Sequence, residues 1–184
     1  MYKILVGMIL ALFDIVISID HMRIDIVPDF VGYILIWREL VELEDEATYF
    51  VAAEKNAYFM KIFMLAFFVL DLFGIKSAIF KMGLFGSLTT IVYLLVEAFI
   101  VVMFLYIAYD ITCGVQEMEE EYEEDMCGDE LMRAWKVMAI ASAIYMLCYI
   151  ISFYLSEIGL ITSVLVIVAQ TYYLVRFCAC ARRY

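Results

Sequence analysis

Glu97 is the only charged residue between Lys81 and Asp110, near the centre of an apolar run at 83–109. Removal from water penalises a carboxylate, so a group placed there is protonated, paired or turned towards a wet cavity. Gly86, Thr90, Tyr93 and Glu97 follow at steps of +4, +3 and +4, which places them on one face of a helix. The hydroxyls of Tyr93 and Thr90 are then one and two turns from the carboxyl. Such a face either holds helices together through a neutral glutamic acid or handles a proton or cation.

A second series lies near the start of the chain. Gly7, Ala11, Asp14, Ser18, His21 and Asp25 are spaced +4, +3, +4, +3 and +4. On a continuous helix they share one side. Gly7 and Ala11 would allow close helix packing, and the remainder would form a polar track through Ser18, His21 and Asp25 to an intramembrane Asp14. Asp71 is a third acidic residue in an apolar run, 57–74, which also carries Lys61. Ser142, Tyr145, Tyr149 and Ser152 form a hydroxyl face of the kind that joins membrane helices. Gln170 is the one amide in the last run. Asp14, Asp71 and Glu97 are therefore the candidate functional carboxylates, with Thr90 and Tyr93 beside Glu97.

Enzyme signatures are missing. His21 is the only histidine, which excludes an H-E-x-x-H zinc site. Cys178 and Cys180 form C-x-C without a second pair at zinc-finger spacing, and the five cysteines read as free thiols. Tyr109-Asp110 matches half of an intramembrane aspartyl protease signature, but the G-x-G-D half is lacking. No P-loop, dinucleotide fingerprint or Ser/His pairing is present. The expectation is a non-enzymatic protein without cofactor or metal.

The net charge of −11 is unevenly placed. Ten acidic residues lie between Asp110 and Met132 without a lysine or arginine: Asp110, Glu117, Glu119, Glu120, Glu121, Glu123, Glu124, Asp125, Asp129 and Glu130. This stretch reads as a solvated helical hairpin over 110–133. Its 119–125 portion is a candidate docking surface for a basic partner, or a weak divalent-cation site. It lacks the D-x-D-x-D-G order of a calcium loop. The negative charge argues against a nucleic-acid partner.

These residues must be positioned by membrane helices. The chain is 67% hydrophobic, with mean hydropathy +0.95, far above a soluble domain's roughly 45–50% apolar content. Apolar runs at 4–19, 30–43, 57–74, 83–109, 134–155 and 158–177 predict one all-α membrane domain of about six segments, five full spans being the alternative. Run 30–43 is short; Pro28 and Asp29 suit its first turn, and it spans, re-enters or lies in the interface. We expect 4–19 and 30–43 to form a hairpin turning at 20–29. The acidic stretch continues the preceding helix towards Met126, Gly128 ends it, and Asp129 caps the next. Only Lys3 precedes the first run, Asp14 interrupts it and no A-x-A follows, so no cleaved signal is expected.

Orientation follows from lysine and arginine. With six segments and the N-terminus inside, the inner side holds eight: Lys3, Arg38, Lys55, Arg133, Lys136, Arg176, Arg182 and Arg183. The outer side holds three: Arg23, Lys76 and Lys81. With five segments Lys3 and Arg23 exchange sides and the counts stand. Either way 44–56, 110–133 and the C-terminus face the cytoplasm and 75–82 faces out. Trp37 and Trp135 then fall near the inner interface.

The stretch Ile24-Asp25-Ile26-Val27-Pro28-Asp29-Phe30-Val31-Gly32-Tyr33-Ile34-Leu35-Ile36 resembles a D-I-x-P-D-F-x-G-Y-I-L segment near the start of small, uncharacterised bacterial multi-pass membrane proteins. The resemblance covers at most the first quarter of the chain and departs from that pattern at Arg38 and Glu39. It implies a bacterial inner membrane and no known activity. The residues themselves favour small-solute or cation transport or sensing by the buried carboxylates. The alternative is an interaction or assembly protein, docking a basic cytosolic partner or a second copy through the acidic hairpin.

Overall fold

The computed structural model describes residues 1–13, 16–19, 22–25, 28–72, 88–123, 127–152 and 156–183. The fold is all-α in its long elements: α1 (Tyr2–Leu12), α2 (Asp29–Glu42), α3 (Thr48–Leu72), α4 (Leu88–Tyr122), α5 (Gly128–Ser152) and α6 (Ser156–Ala181). A small antiparallel hairpin of β1 (Val16–Ile19) and β2 (Met22–Asp25) lies between α1 and α2.

That hairpin corrects the expected helix over 4–19. The helix stops at Leu12, and Phe13 is already extended at φ −117 and ψ 96. Val16 pairs with Asp25 and Ser18 with Arg23. The series from Gly7 to Asp25 is therefore not one helical face. Gly7 and Ala11 share α1, Ser18 and Asp25 stand on different strands, and Asp14 and His21 lie outside the described residues. The physical reason is in the sequence: Val16, Ile17, Ile19 and Ile24 are β-branched and stiff at χ1, which favours a pleated strand. Ile17-Ser18-Ile19 and Met22-Arg23-Ile24-Asp25 also alternate with a period of 2, not 3.6.

The helices pack in chain order, each on the next, and α1 closes the circuit against α6. Among the described helices the result is a ring of six. Its tightest joint is between α1 and α2. A Cβ on Gly7 would lie 2.6 Å from the Gly32 carbonyl oxygen, and one on Gly32 would lie 2.5 Å from that of Gly7. The backbones touch because neither residue has a side chain, the small-residue packing that membrane helices use.

One end of the ring carries most of the charge. Lys3 Nζ lies 2.6 Å from Glu42 and 2.8 Å from Glu39, and the α-amino group of Met1 also reaches Glu39. Thr48 donates to Glu117 at 2.8 Å and Tyr122 to Glu46 at 2.6 Å. Arg176 pairs with Glu130 at 2.7 Å. The 44–49 turn, both sides of the acidic hairpin and the end of α6 thus gather together. Here the ring is plugged by fully buried Met8, Ile36, Met60, Ile111, Tyr173 and Phe177. Tyr173 and Thr112 both donate to the Ala108 carbonyl, at 3.1 and 2.7 Å, which pins α6 to α4.

The outside is apolar. Leu95, Ile140, Leu147, Leu160 and Val168 are each more than 60% exposed. Large apolar residues facing outwards on several helices are a lipid-facing pattern. Leu94–Tyr122, Gly128–Tyr149 and Ile158–Ala181 are long and apolar enough to cross a bilayer. At 25 residues α3 is long enough too, though it carries Lys55, Lys61 and Asp71. With 11 and 14 residues, α1 and α2 reach only about 16 and 21 Å at 1.5 Å per residue, less than the roughly 30 Å of hydrocarbon.

Gly128 does not end α4, as the sequence suggested; it opens α5. The helix before it ends at Tyr122, and Glu123 and Cys127 take left-handed φ values of 53 and 65. Gly128 packs against the Glu119 and Gln116 side chains. Its N–H donates to Glu119 at 2.9 Å, and a Cβ would meet the same carboxylate at 2.4 Å.

Candidate functional site

The helices of the ring line a partly open cavity of about 360 Å³. Every helix contributes to its wall. Leu12 comes from α1, Asp29 and Tyr33 from α2, Phe67 and Phe68 from α3, Glu97 and Phe104 from α4, Ser142 and Tyr145 from α5, and Ser163 and Gln170 from α6. The volume is within the 300–1,000 Å³ typical of ligand pockets, and the wall is mostly apolar with a few polar groups, as such pockets are.

Its depth follows from helix geometry. Glu97 precedes Asp110 by thirteen residues, about 20 Å of helix. Asp29 precedes Glu42 by the same interval, again about 20 Å. The charged end therefore stands roughly 15–20 Å from both carboxyls, close to half the thickness of a bilayer's hydrocarbon core with its flanking interface.

The two carboxyls arrive by different routes. Glu97 is carried on the long, apolar α4, and its position on the inner side of that helix sets it opposite Tyr145 and Ser142 of α5. Asp29 stands in the first turn of α2 just after Pro28, whose φ of −62 suits the helix entry. The positive end of the helix dipole favours negative charge there. Ser142 is buried, and Ser163 donates to the Gly159 carbonyl at 2.8 Å, which fixes its hydroxyl on the wall.

The site collects residues that the sequence had assigned to separate faces. Glu97 meets Ser142, Tyr145 and Gln170 around one space. Asp29 and Tyr33 were not singled out as site residues. The available signal was the distance of Asp29 from the charged half of α2, about 20 Å along the helix. Thr90 lies on α4 and Asp71 at the end of α3, as does Tyr93 on α4, but their side chains lie outside the described residues. Asp14 and His21 are outside them altogether, and Ser18 and Asp25 are placed by backbone alone.

Other polar groups serve packing. Lys61 sits over the Trp37 ring at 3.4 Å and the Tyr58 ring at 4.1 Å, while Trp37 donates to Glu54 at 2.6 Å. Asn56 donates to buried Asp110 at 3.2 Å. In the acidic hairpin, Glu119 is bonded to Gly128, whereas Glu120, Glu121 and Glu123 are exposed; Glu124 and Asp125 lie outside the described residues. All five cysteines are free. Among the described residues no three His, Cys, Asp or Glu side chains converge as a metal centre.

The chain matches no family model, and no curated protein or solved structure is significantly similar to it.

Proposed function

We propose that this chain is a non-enzymatic, multi-pass membrane protein that admits a small solute or cation to the centre of its helix ring and conducts or senses it. The observation that carries the reading is the cavity itself: two carboxyl-bearing residues, Glu97 and Asp29, line one partly open space, each about 20 Å along its helix from the charged end. A carboxyl kept at that depth is costly unless it meets a ligand, a proton or a partner. Buried apolar side chains fill the charged end of the ring, which argues against entry of a solute there. On the lysine and arginine distribution the charged end is cytoplasmic. With the bacterial resemblance of 24–36, the location is a bacterial inner membrane.

The test uses the full chain reconstituted in vesicles. Osmotic shrinkage and recovery, followed by light scattering, reports entry of each member of a panel of small solutes. Parent vesicles are expected to recover faster than empty ones for at least one solute. Glu97→Gln, which keeps shape but not charge, abolishes the difference, and Glu97→Asp retains part of it. Parent and Glu97→Gln vesicles that both behave as empty ones would refute conduction. A parent whose cellular role survives Glu97→Gln but fails on removal of 117–126 would favour the second reading, docking through exposed Glu120, Glu121 and Glu123.

A further inference from the structure

We infer that the ligand of this cavity is a compact organic cation, an amine or quaternary ammonium, in preference to a metal ion, an anion or a neutral solute. The inference rests on the reading of the cavity as a solute site and specifies its substrate class.

Three properties of the wall point the same way. The first is charge: Glu97 brings a carboxyl to the wall, and the described lining holds no lysine, arginine or histidine. The field in a low-dielectric space follows the nearest charges, so an anion is repelled. The second is the surface between the carboxyls. Tyr33, Phe67, Phe68, Phe104 and Tyr145 bring five aromatic rings to one cavity. Ring faces attract an organic cation through their quadrupole, most strongly where water is excluded. A hard metal ion needs instead a shell of six or more oxygens at short range, and most of this wall is ring, methionine and aliphatic surface. The third is size. At roughly 30 Å³ per water in the liquid, the cavity holds about a dozen non-hydrogen atoms. That is much larger than a bare ion and close to a small tetraalkylammonium.

The arrangement also assigns roles. Glu97 supplies the countercharge from α4, the rings of α2, α3 and α5 enclose the alkyl groups, and the Ser142 and Gln170 side chains offer acceptors for an N–H where the ligand has one. Because the groups come from all six helices, binding draws the ring together and raises its stability.

The experiment is a binding titration on the purified full chain in detergent, read as a thermal-unfolding shift and by calorimetry. The probes are tetramethylammonium and tetraethylammonium chloride, with sodium, magnesium, glutamate and glycerol as comparisons. A saturable upward shift with a tetraalkylammonium is expected, with apparent affinity in the micromolar to millimolar range. Glu97→Gln is expected to weaken it at least tenfold. Glu97→Asp and Tyr145→Phe keep most of it, and Tyr145→Leu weakens it several-fold while leaving the unliganded midpoint close to that of Tyr145→Phe. Saturable binding of sodium or magnesium alone, dependent on Glu97, overturns the organic-cation assignment and leaves the solute-site reading standing. Binding of glutamate or glycerol, unaffected by Glu97→Gln, also overturns it. No binding by any probe, together with vesicle recovery unchanged by Glu97→Gln, removes both.

Discussion

Replacing Gly32 with alanine adds one methyl group to the tightest joint of the ring. The new carbon would lie 2.5 Å from the Gly7 carbonyl oxygen, 2.9 Å from the Ala11 nitrogen and 3.1 Å from the Ala11 Cβ. The first two contacts are backbone atoms, which no rotamer change can move. Ordinary van der Waals separation is at least 3.4 Å, so α1 and α2 must part by about 1 Å, and the dispersion contacts along the seam weaken with them. Forcing an extra carbon into a packed interface costs about 1–3 kcal/mol. Alanine returns up to about 1 kcal/mol through its better helix propensity. The net expectation is a destabilisation of about 1–2 kcal/mol. Unfolding in mixed micelles of increasing denaturing-detergent fraction, followed by circular dichroism, measures it. Gly7→Ala should cost a similar amount, and the double substitution less than the sum, because the first already separates the helices. A Gly32→Ala protein as stable as the parent, or more so, would refute the argument from close backbone approach, since propensity alone predicts a gain.

The remaining predictions concern topology, charge and thiols. In a thiol-free background, an Ile79→Cys chain should be labelled by an impermeant reagent in intact cells and a Glu120→Cys chain only after lysis; the opposite pattern inverts the orientation. The Lys3 ammonium is held above its ordinary value, first by its hydrogen bond to Glu39 and then by that to Glu42. Its raised folded value means the contribution to stability is complete below the ordinary lysine range and lost as pH climbs through the raised value. Stability should therefore fall at strongly alkaline pH, and Lys3→Met should flatten that fall; an unchanged alkaline profile in the variant would count against the ion pair. Cys178 and Cys180 are two residues apart on α6, one buried and one part-exposed. They should be reduced and metal-free in the purified protein. Stoichiometric zinc or copper that disappears on changing both to serine would show otherwise.

The helices were legible where one physical signal dominated. Long apolar runs marked out α4, α5 and α6 as helices, because hydrocarbon leaves a backbone few structures other than the helix. The acidic extension of α4 was also readable, since glutamate is a good helix former and no breaker interrupts 115–122. The first helix was misread because two signals competed. Polar residues every three or four positions suggested a helical face, while the β-branched run at 15–19 and the alternation through Asp25 marked strands. Gly128 illustrates another gap. A glycine after a helix suggests its end, but this one opens the next helix, with its N–H donating to Glu119, a residue nine positions away across the turn. For the site, Glu97 was conspicuous because nothing else in its run is charged. Asp29 was masked by a sufficient local explanation, the helix dipole, and its place beside Glu97 depends on the α2–α3–α4 packing, which no spacing along the chain encodes.

The closure of α1 upon α6 has a consequence for how the protein is made. Of the described helices a ribosome delivers α1 before the others and α6 after them, so the contact that completes the ring joins the two most distant in sequence. Until α6 is in place the cavity wall lacks Ser163, Val166, Ile167 and Gln170, and the side of the ring next to α1 is incomplete. The Gly7–Gly32 joint lets the newborn first pair wait as a preformed unit while more than a hundred residues follow it, separated in sequence as the two numbers 12 and 156 show. Completion of the cavity wall therefore waits for α6, and shortened chains lacking it should accumulate with the Glu97 carboxyl and the mostly apolar interior uncovered.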